Sequence, residues 1–141
     1  MTPSDERFLR RAIELAAHGR TVGDAPYGSL LVSGDGAVLV EAWNTVTSDR
    51  DISAHPELKL ARWAARELEP AAAATTTMYT SCQPCGMCTG AIERSALGLV
   101  VYALSNEQYA ALKPAAGYAA VPQRGPALLA EASAVLEGFE E

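Results

Sequence analysis

The sequence predicts an α/β protein, a three-layer α/β/α sandwich around a mixed central sheet of about five strands. After an opening helix and a β-hairpin, predicted strands alternate with predicted helices along the chain, and this order places helices on both faces of a sheet. Residues 97–104 form a nearly continuous apolar run, which is typical of a strand buried on both faces of a parallel sheet. The 141 residues are enough for one domain with a substantial core, spanning 1–141.

The first half of the chain predicts two helices that flank a hairpin. Capping residues at positions 2–4 precede an amphipathic N-terminal helix, whose period places several apolar side chains on one face. These side chains are Phe8, Leu9, Ala12, Ile13 and Ala16. Strands are predicted at 29–32 and 37–43, because the glycine-rich turn at 33–36 suits a hairpin. A second helix begins near His55, with Pro56 in its first turn, where the missing N–H costs little.

The second half predicts further strands and helices in alternation. A strand at 78–81 is followed by Pro84, which favours the start of a helix that carries two cysteines. A linker is expected at 71–74. The strand at 97–104 precedes a short helix at 105–112, a fifth strand at 117–121, a last helix at 126–136 and a short tail.

Two short segments predict a metal site. Cys85 and Cys88 stand three residues apart at a helix start, so their sulfurs share one face, and the helix N-terminus favours the thiolate form. His55 offers a nitrogen ligand, and Glu57 lies in the first turn of the other helix. If the two helix N-termini converge, His55, Cys85 and Cys88 supply three ligands for Zn²⁺ and leave a fourth position open beside Glu57.

These segments resemble a known family. His55-x-Glu57 and Pro84-Cys85-x-x-Cys88 match the signature of the zinc-dependent nucleobase deaminases. The chain is therefore similar to the cytidine-deaminase-like superfamily, most of all to its small guanine and cytosine deaminases and its tRNA adenosine deaminases. Segments 26–32, 41–44 and 99–105 resemble strands of that family in the family's order, so the resemblance extends from roughly residue 5 to residue 112.

The resemblance implies a fold and an activity. The fold is cytidine-deaminase-like, and the activity is hydrolytic release of ammonia from a small heteroaromatic amine, with Glu57 as the catalytic proton carrier. The expected substrate is a free nucleobase of the guanine or cytosine type, or a nucleoside. Pro56 departs from the family pattern, because it has no N–H to donate to a substrate acceptor. The substrate-binding candidates are Tyr27, Trp43, Asn44, Pro56, Gln83 and Phe139. The alternative for Asn44 is a turn former, and the alternative for the three aromatic residues is a place in the core.

Two other functions remain open at this stage. One is the same chemistry on tRNA or single-stranded nucleic acid, which the arginines at positions 7, 10 and 11 could serve if they are more than a solvated helix face. The formal net charge of −6 counts against it, because proteins that grip phosphate backbones are usually basic. The other is a structural zinc module closed by His55, Cys82, Cys85 and Cys88, which would give Glu57 no role.

Partners and location follow from simple features. No apolar run is long enough to span a membrane, and no signal-like segment opens the chain. Three clustered cysteines suit a metal in a reducing cytoplasm better than a disulfide framework. The expected partners are therefore a small-molecule substrate and, by resemblance to the family, a second copy in a homodimer, with no nucleic acid and no membrane.

Overall fold

A computed structural model describes residues 1–114 and 117–141 of the chain. In this part of the chain the strands form one mixed four-stranded sheet in the order β2-β1-β3-β4. The strands are β1 Gly28–Val32, β2 Val38–Trp43, β3 Thr77–Cys82 and β4 Leu99–Leu104. The central strand β1 is antiparallel to β2 and β3, and β3 is parallel to β4.

Helices cover both faces of this sheet. The helices of the described residues are α1 Pro3–Thr21, α2 Val46–Asp49, α3 Pro56–Glu67, α4 Pro70–Ala73, α5 Gly86–Arg94, α6 Asn106–Leu112 and α7 Leu129–Ala134. Helix α1 packs on one face against β1 and β3, and α3 packs on the other face with α5 beside it. The predicted three-layer α/β/α class is confirmed.

Helix α1 forms where its capping signals predict. Thr2 and Asp5 make a reciprocal capping box, in which each side chain accepts the other residue's backbone N–H. Leu15 belongs to the buried stripe of the helix, whereas Ile13 is 49% exposed and was wrongly placed in that stripe. Gly28 allows α1 to lie against β1, because a Cβ there would overlap the carbonyl oxygen of Ala12.

The alternation of side chains along β1 and β3 divides the core into two. Leu30 and Tyr79 pack beneath α1, whereas Leu31 and Met78 pack against α3 on the opposite face. Since successive strand residues point to opposite faces, Ser29 belongs to the α3 side. On that side the first turn of α3, which contains Glu57, lies against Ser29 of β1.

Three expectations fail on the outer parts of the fold. Strand β4 is not buried on both faces, because α1 and α3 pack mainly over the other strands, and Leu99 is 56% exposed. The fifth strand predicted at 117–121 does not form; its residues are exposed, and Pro122 limits strand pairing there. The expected last helix is reduced to Leu129–Ala134.

The expected linker at 71–74 overlaps the single helical turn α4, and α2 forms a second such turn in the segment before His55. Within the described residues, no helix combines the length and the apolar character that crossing a membrane requires.

Candidate functional site

The N-termini of α3 and α5 meet on one side of the sheet. His55 is the N-cap residue of α3 in an extended conformation, and Pro56 is the first residue of the helix. Cys85 is the N-cap residue of α5, and Cys88 lies within its first turn. Because α3 and α5 pack against each other, these two helix starts place His55, Cys85 and Cys88 at a common point.

The three predicted ligands are close together. His55 Nδ1 is 3.6 Å from Cys85 Sγ and 3.4 Å from Cys88 Sγ. One ligand atom from each residue lies within 4.8 Å of those of the other two. Cys88 is buried, His55 is partly buried and Cys85 lies at the surface. The group therefore extends from the surface at Cys85 to the buried core at Cys88.

The donor set and its spacing fit zinc. Zn–S bonds near 2.3 Å and Zn–N bonds near 2.0 Å in a tetrahedron place neighbouring sulfur and nitrogen ligands about 3.5 Å apart. The two N···S distances at His55 agree with this value. Burial lowers the pKa of His55, which favours the neutral imidazole that binds metals.

The electrostatics of Cys88 differ from the sequence-based expectation. Burial raises the pKa of its thiol, and the charges of Glu57 and Cys85 add to this rise. Burial and these two charges therefore outweigh the helix N-terminus, which favours the thiolate. A divalent cation bound to the sulfur would reverse this balance, since a coordinating thiol is deprotonated.

Glu57 lies beside the three ligands and is 93% shielded from solvent, with 7% exposure. Burial raises the pKa of this carboxyl group, while hydrogen bonds from its own backbone N–H, Cys88 and Ser29 act in the opposite direction. Its Oε1 lies 3.5 Å from the hydroxyl of Ser29. Burial of this kind makes the carboxyl group hold a proton more strongly than an exposed glutamate does.

Asn44 and Tyr27 are joined where β2 ends. The backbone N–H of Asn44 donates to the carbonyl of Tyr27 at 3.0 Å. The buried side chain of Asn44 accepts the N–H of Val46 through Oδ1 at 3.0 Å, an Asx turn that orients its amide group. The Tyr27 hydroxyl lies 2.6 Å from that of Tyr109, and burial together with Tyr109 raises the pKa of Tyr27.

Gln83 and Trp43 have other neighbours. Gln83 follows β3, and its Oε1 accepts the N–H of Asn106 at the start of α6. Trp43 packs against the core beneath α1, with its ring edge-to-face on His18 at 4.7 Å between centroids. It therefore belongs to the sheet face opposite α3.

Phe139 and Cys82 lie apart from the three ligands. Phe139 is 68% exposed in the C-terminal segment and is not brought to the helix starts in this structure. Cys82, the last residue of β3, is not part of the close group of possible metal ligands in the described residues. Pro56 is fully buried between its two neighbours in the site.

Sequence reasoning missed three residues around the site. Ser29 and Thr80 form a buried hydroxyl pair on the strands behind Glu57, and a hydroxyl at an inward position of an apolar strand could have indicated them. Lys59 donates to the carbonyl of Trp43 at 2.9 Å and to the hydroxyl of Thr45, so it fixes the loop that carries Asn44. Nothing in the sequence pattern of α3 distinguishes Lys59 from a solvated lysine.

A mixed sheet between helices, with a His-Cys-Cys group and a glutamate at two helix starts, defines a deaminase-type metal-binding domain. Residues 2–104 match the family model described as the cytidine and deoxycytidylate deaminase zinc-binding region. The chain belongs to this family.

The names of individual relatives indicate different substrates. The chain is 39% identical over 102 residues to a guanine deaminase of Bacillus subtilis, covering 72% of this chain and 65% of the relative. It is 32% identical to a tRNA-specific adenosine deaminase of Haemophilus influenzae, covering 77% and 62%. It is 33% identical to a probable cytosine deaminase of Schizosaccharomyces pombe, covering 83% and 70%. The chain thus spans just under two thirds of the length of the first two.

The fold of the guanine deaminase is known from its crystal structure. An X-ray structure of the Bacillus subtilis guanine deaminase superposes on the chain with a TM-score of 0.74 at 31% identity. The superposition covers 100% of this chain and 99% of the other.

Proposed function

We propose that this protein is a zinc-dependent hydrolytic deaminase that releases ammonia from a small heteroaromatic amine. The preferred substrate is a free nucleobase of the guanine or cytosine type, or a nucleoside. The observation that carries the proposal is the buried carboxylate of Glu57 beside the group of His55, Cys85 and Cys88. A structural zinc site would need no such acid, and Cys82 lies outside the group.

The chain's own residues provide binding and proton transfer. His55, Cys85 and Cys88 would hold the zinc ion, which when bound lowers the pKa of water towards neutrality and so supplies hydroxide. Glu57 takes the water proton and passes it to a ring nitrogen while oxygen adds to the amine-bearing carbon. Glu57 then takes the proton of the newly added hydroxyl group and gives it to the amine; the C–N bond breaks, ammonia leaves, and a carbonyl remains on the ring. A carboxyl group shielded from water suits both transfers.

Four of the substrate-binding candidates would orient the substrate ring. Asn44 offers its amide N–H to a substrate acceptor, because its Oδ1 is engaged by Val46. Gln83 offers its amide N–H in the same way, since its Oε1 accepts from Asn106. Pro56 provides a surface without a backbone donor. Of the three aromatic candidates, Tyr27 is the one that we retain for stacking on the ring. Trp43 packs beneath α1, and Phe139 lies in the exposed C-terminal segment.

A tRNA or single-stranded nucleic acid is the second candidate substrate, and the identity to a tRNA-specific adenosine deaminase favours it. Two features weigh against it. The net charge is −6. On α1, Arg10 pairs with Glu6, and Arg11 pairs with Glu41 and Glu14, so these arginines already have carboxylate partners.

We also propose that the protein works as a homodimer in the cytoplasm. The exposed apolar side chains of β4 and of the C-terminal segment support association. The three free cysteines suit a reducing compartment. Light scattering after gel filtration measures the mass directly, and a monomer at micromolar concentration would contradict the dimer.

The function is tested by ammonia release from zinc-loaded protein. The panel contains guanine, cytosine, adenine, their nucleosides and a tRNA anticodon stem-loop. Turnover of one base or nucleoside is the expected result and names the substrate. Turnover of the stem-loop alone would transfer the function to nucleic-acid editing, and no release from any compound would contradict deamination of these rings.

A further inference from the structure

A pair of buried hydroxyl groups lies directly behind Glu57. Ser29 of β1 and Thr80 of β3 are opposite each other in the antiparallel register, and their oxygen atoms are 2.8 Å apart. The two residues are 0% and 1% exposed. Their apolar neighbours on the same sheet face, Leu31 and Met78, pack into the core beneath α3, so the hydroxyl pair is a polar insertion in an apolar layer.

Ser29 can donate its single proton either to Thr80 or to Glu57, and an ionised Glu57 carboxylate selects between the two. The Ser29 hydroxyl lies between Thr80 Oγ1, at 2.8 Å, and Glu57 Oε1, at 3.5 Å. A hydroxyl group has one proton, and an ionised carboxylate can only accept. When Thr80 donates to Ser29, the proton of Ser29 is free for the carboxylate of Glu57. The opposite arrangement would leave Glu57 without this donor.

The length of the second contact suits a catalytic carboxylate at rest. Hydrogen bonds of catalytic groups are often long before substrate binds and shorten in the reacting complex. A buried hydroxyl without a partner is costly, and Thr80 at 2.8 Å satisfies the Ser29 oxygen while the Ser29 proton is directed at Glu57. The pair therefore couples the position of the Glu57 carboxylate to two central strands.

We propose that Ser29, supported by Thr80, is a positioning residue that holds the Glu57 carboxylate in the orientation facing the three metal ligands. This inference rests on the proposed function. Neither hydroxyl touches substrate. Without Ser29 the carboxylate retains its charge and its burial, but it loses the one hydroxyl that fixes its Oε1 from behind.

The test compares kcat, KM, zinc content and stability in full-length, zinc-loaded variants. Ser29→Ala is expected to lower kcat about tenfold, the effect of losing one hydrogen bond to a charged group. KM is expected to change by less than about twofold and zinc content to stay at the wild-type value, since the hydroxyl contacts neither ligand nor substrate.

Two threonine positions separate positioning from packing. Thr80→Val removes the supporting hydroxyl and should lower kcat, whereas Thr80→Ser keeps the hydroxyl, loses a buried methyl group and should retain more of kcat. Thr76→Val is the matched control, because Thr76 is also a buried threonine of this region, bonded to the carbonyl of Ala72, and it lies about 13 Å along the chain from Thr80. It should lose stability and keep kcat. Equal kcat in Thr80→Val and Thr80→Ser, or a kcat loss that follows stability in all variants, would overturn the proposal.

Crystal structures provide a readout that does not depend on turnover. If wild-type protein deaminates nothing, the proposed function fails, but the positioning role is still decided by the carboxylate of Glu57. One orientation in the zinc-loaded wild type and several in Ser29→Ala supports the role. The same single orientation in both refutes it.

Discussion

At the residue scale, the side chains of His55 and Glu57 contact different neighbours because α3 begins between them. His55 precedes the helix in an extended conformation, whereas Glu57 lies inside its first turn. Two residues so near in sequence therefore reach one site from different directions. The imidazole meets the two sulfurs, and the carboxylate meets the buried strands.

Cys82 distinguishes an open metal site from a closed one. Cys82→Ser should retain one zinc per chain and its turnover, because Cys82 is not among the close ligand atoms. Cys88→Ser should lose zinc, because a buried thiolate is removed from a three-ligand set. Zinc is measured by mass spectrometry of the metal after gel filtration. Loss of zinc from Cys82→Ser would show that the site is a closed structural one.

The grouping of His55, Cys85 and Cys88 was largely predictable from spacing. The interval between two cysteines and the proline at a helix start determine which side chains share a face. Ser29 was not predictable as a partner of Glu57, because its contact depends on the register of β1 against β3. Trp43 was proposed to contact substrate, yet its strand parity places it under α1; its substrate contact remains a prediction without structural support.

At the element scale, the site depends on how closely the layers pack. Helix α1 lies against β1 at Gly28, and α3 and α5 meet at their N-termini on the other face. Sequence periodicity predicts these helices and strands, but it does not predict which strand lies at the edge of the sheet. Strand β4 reads as doubly buried, although it has a partner on one side only in the described sheet.

Gly28→Ala should destabilise the fold strongly. The added methyl group would overlap the backbone of α1 at Ala12 and Ala16, and overpacking of this kind costs about 1–3 kcal/mol or more. Urea denaturation followed by circular dichroism measures the change in the free energy of unfolding. Gly117→Ala is the matched control, because no atom of the part of the chain that the structure describes lies within 4 Å of the added Cβ there. Equal stability of the two variants would contradict the close approach of α1.

At the scale of the whole molecule, charge favours a small substrate. The net charge is −6, and the carboxylates bonded to Arg10 and Arg11 lower the positive potential of α1. A phosphate backbone would meet repulsion over much of this surface. The C-terminal segment was the least predictable part, because its apolar residues are exposed and local pattern alone cannot supply them with a packing partner.

The salt dependence of kcat/KM and of stem-loop binding tests whether the charge of the molecule favours a small substrate. For a neutral base, kcat/KM should change by less than about twofold between 50 and 200 mM salt, because no counterions are released on binding. Binding of the tRNA stem-loop, measured by fluorescence anisotropy, should be weak at both concentrations. Tight binding that weakens steeply with salt would instead favour the nucleic-acid substrate.

In the proposed function, Glu57 carries the protons of a zinc-dependent deamination. The most direct measurement is ammonia release by zinc-loaded Glu57→Gln beside wild type and Glu67→Gln, the same substitution at the exposed end of α3. We predict that Glu57→Gln keeps its zinc and loses about 10³-fold in kcat, within the range for a lost general acid and base, while Glu67→Gln matches wild type. Wild-type turnover by zinc-loaded Glu57→Gln would contradict the account.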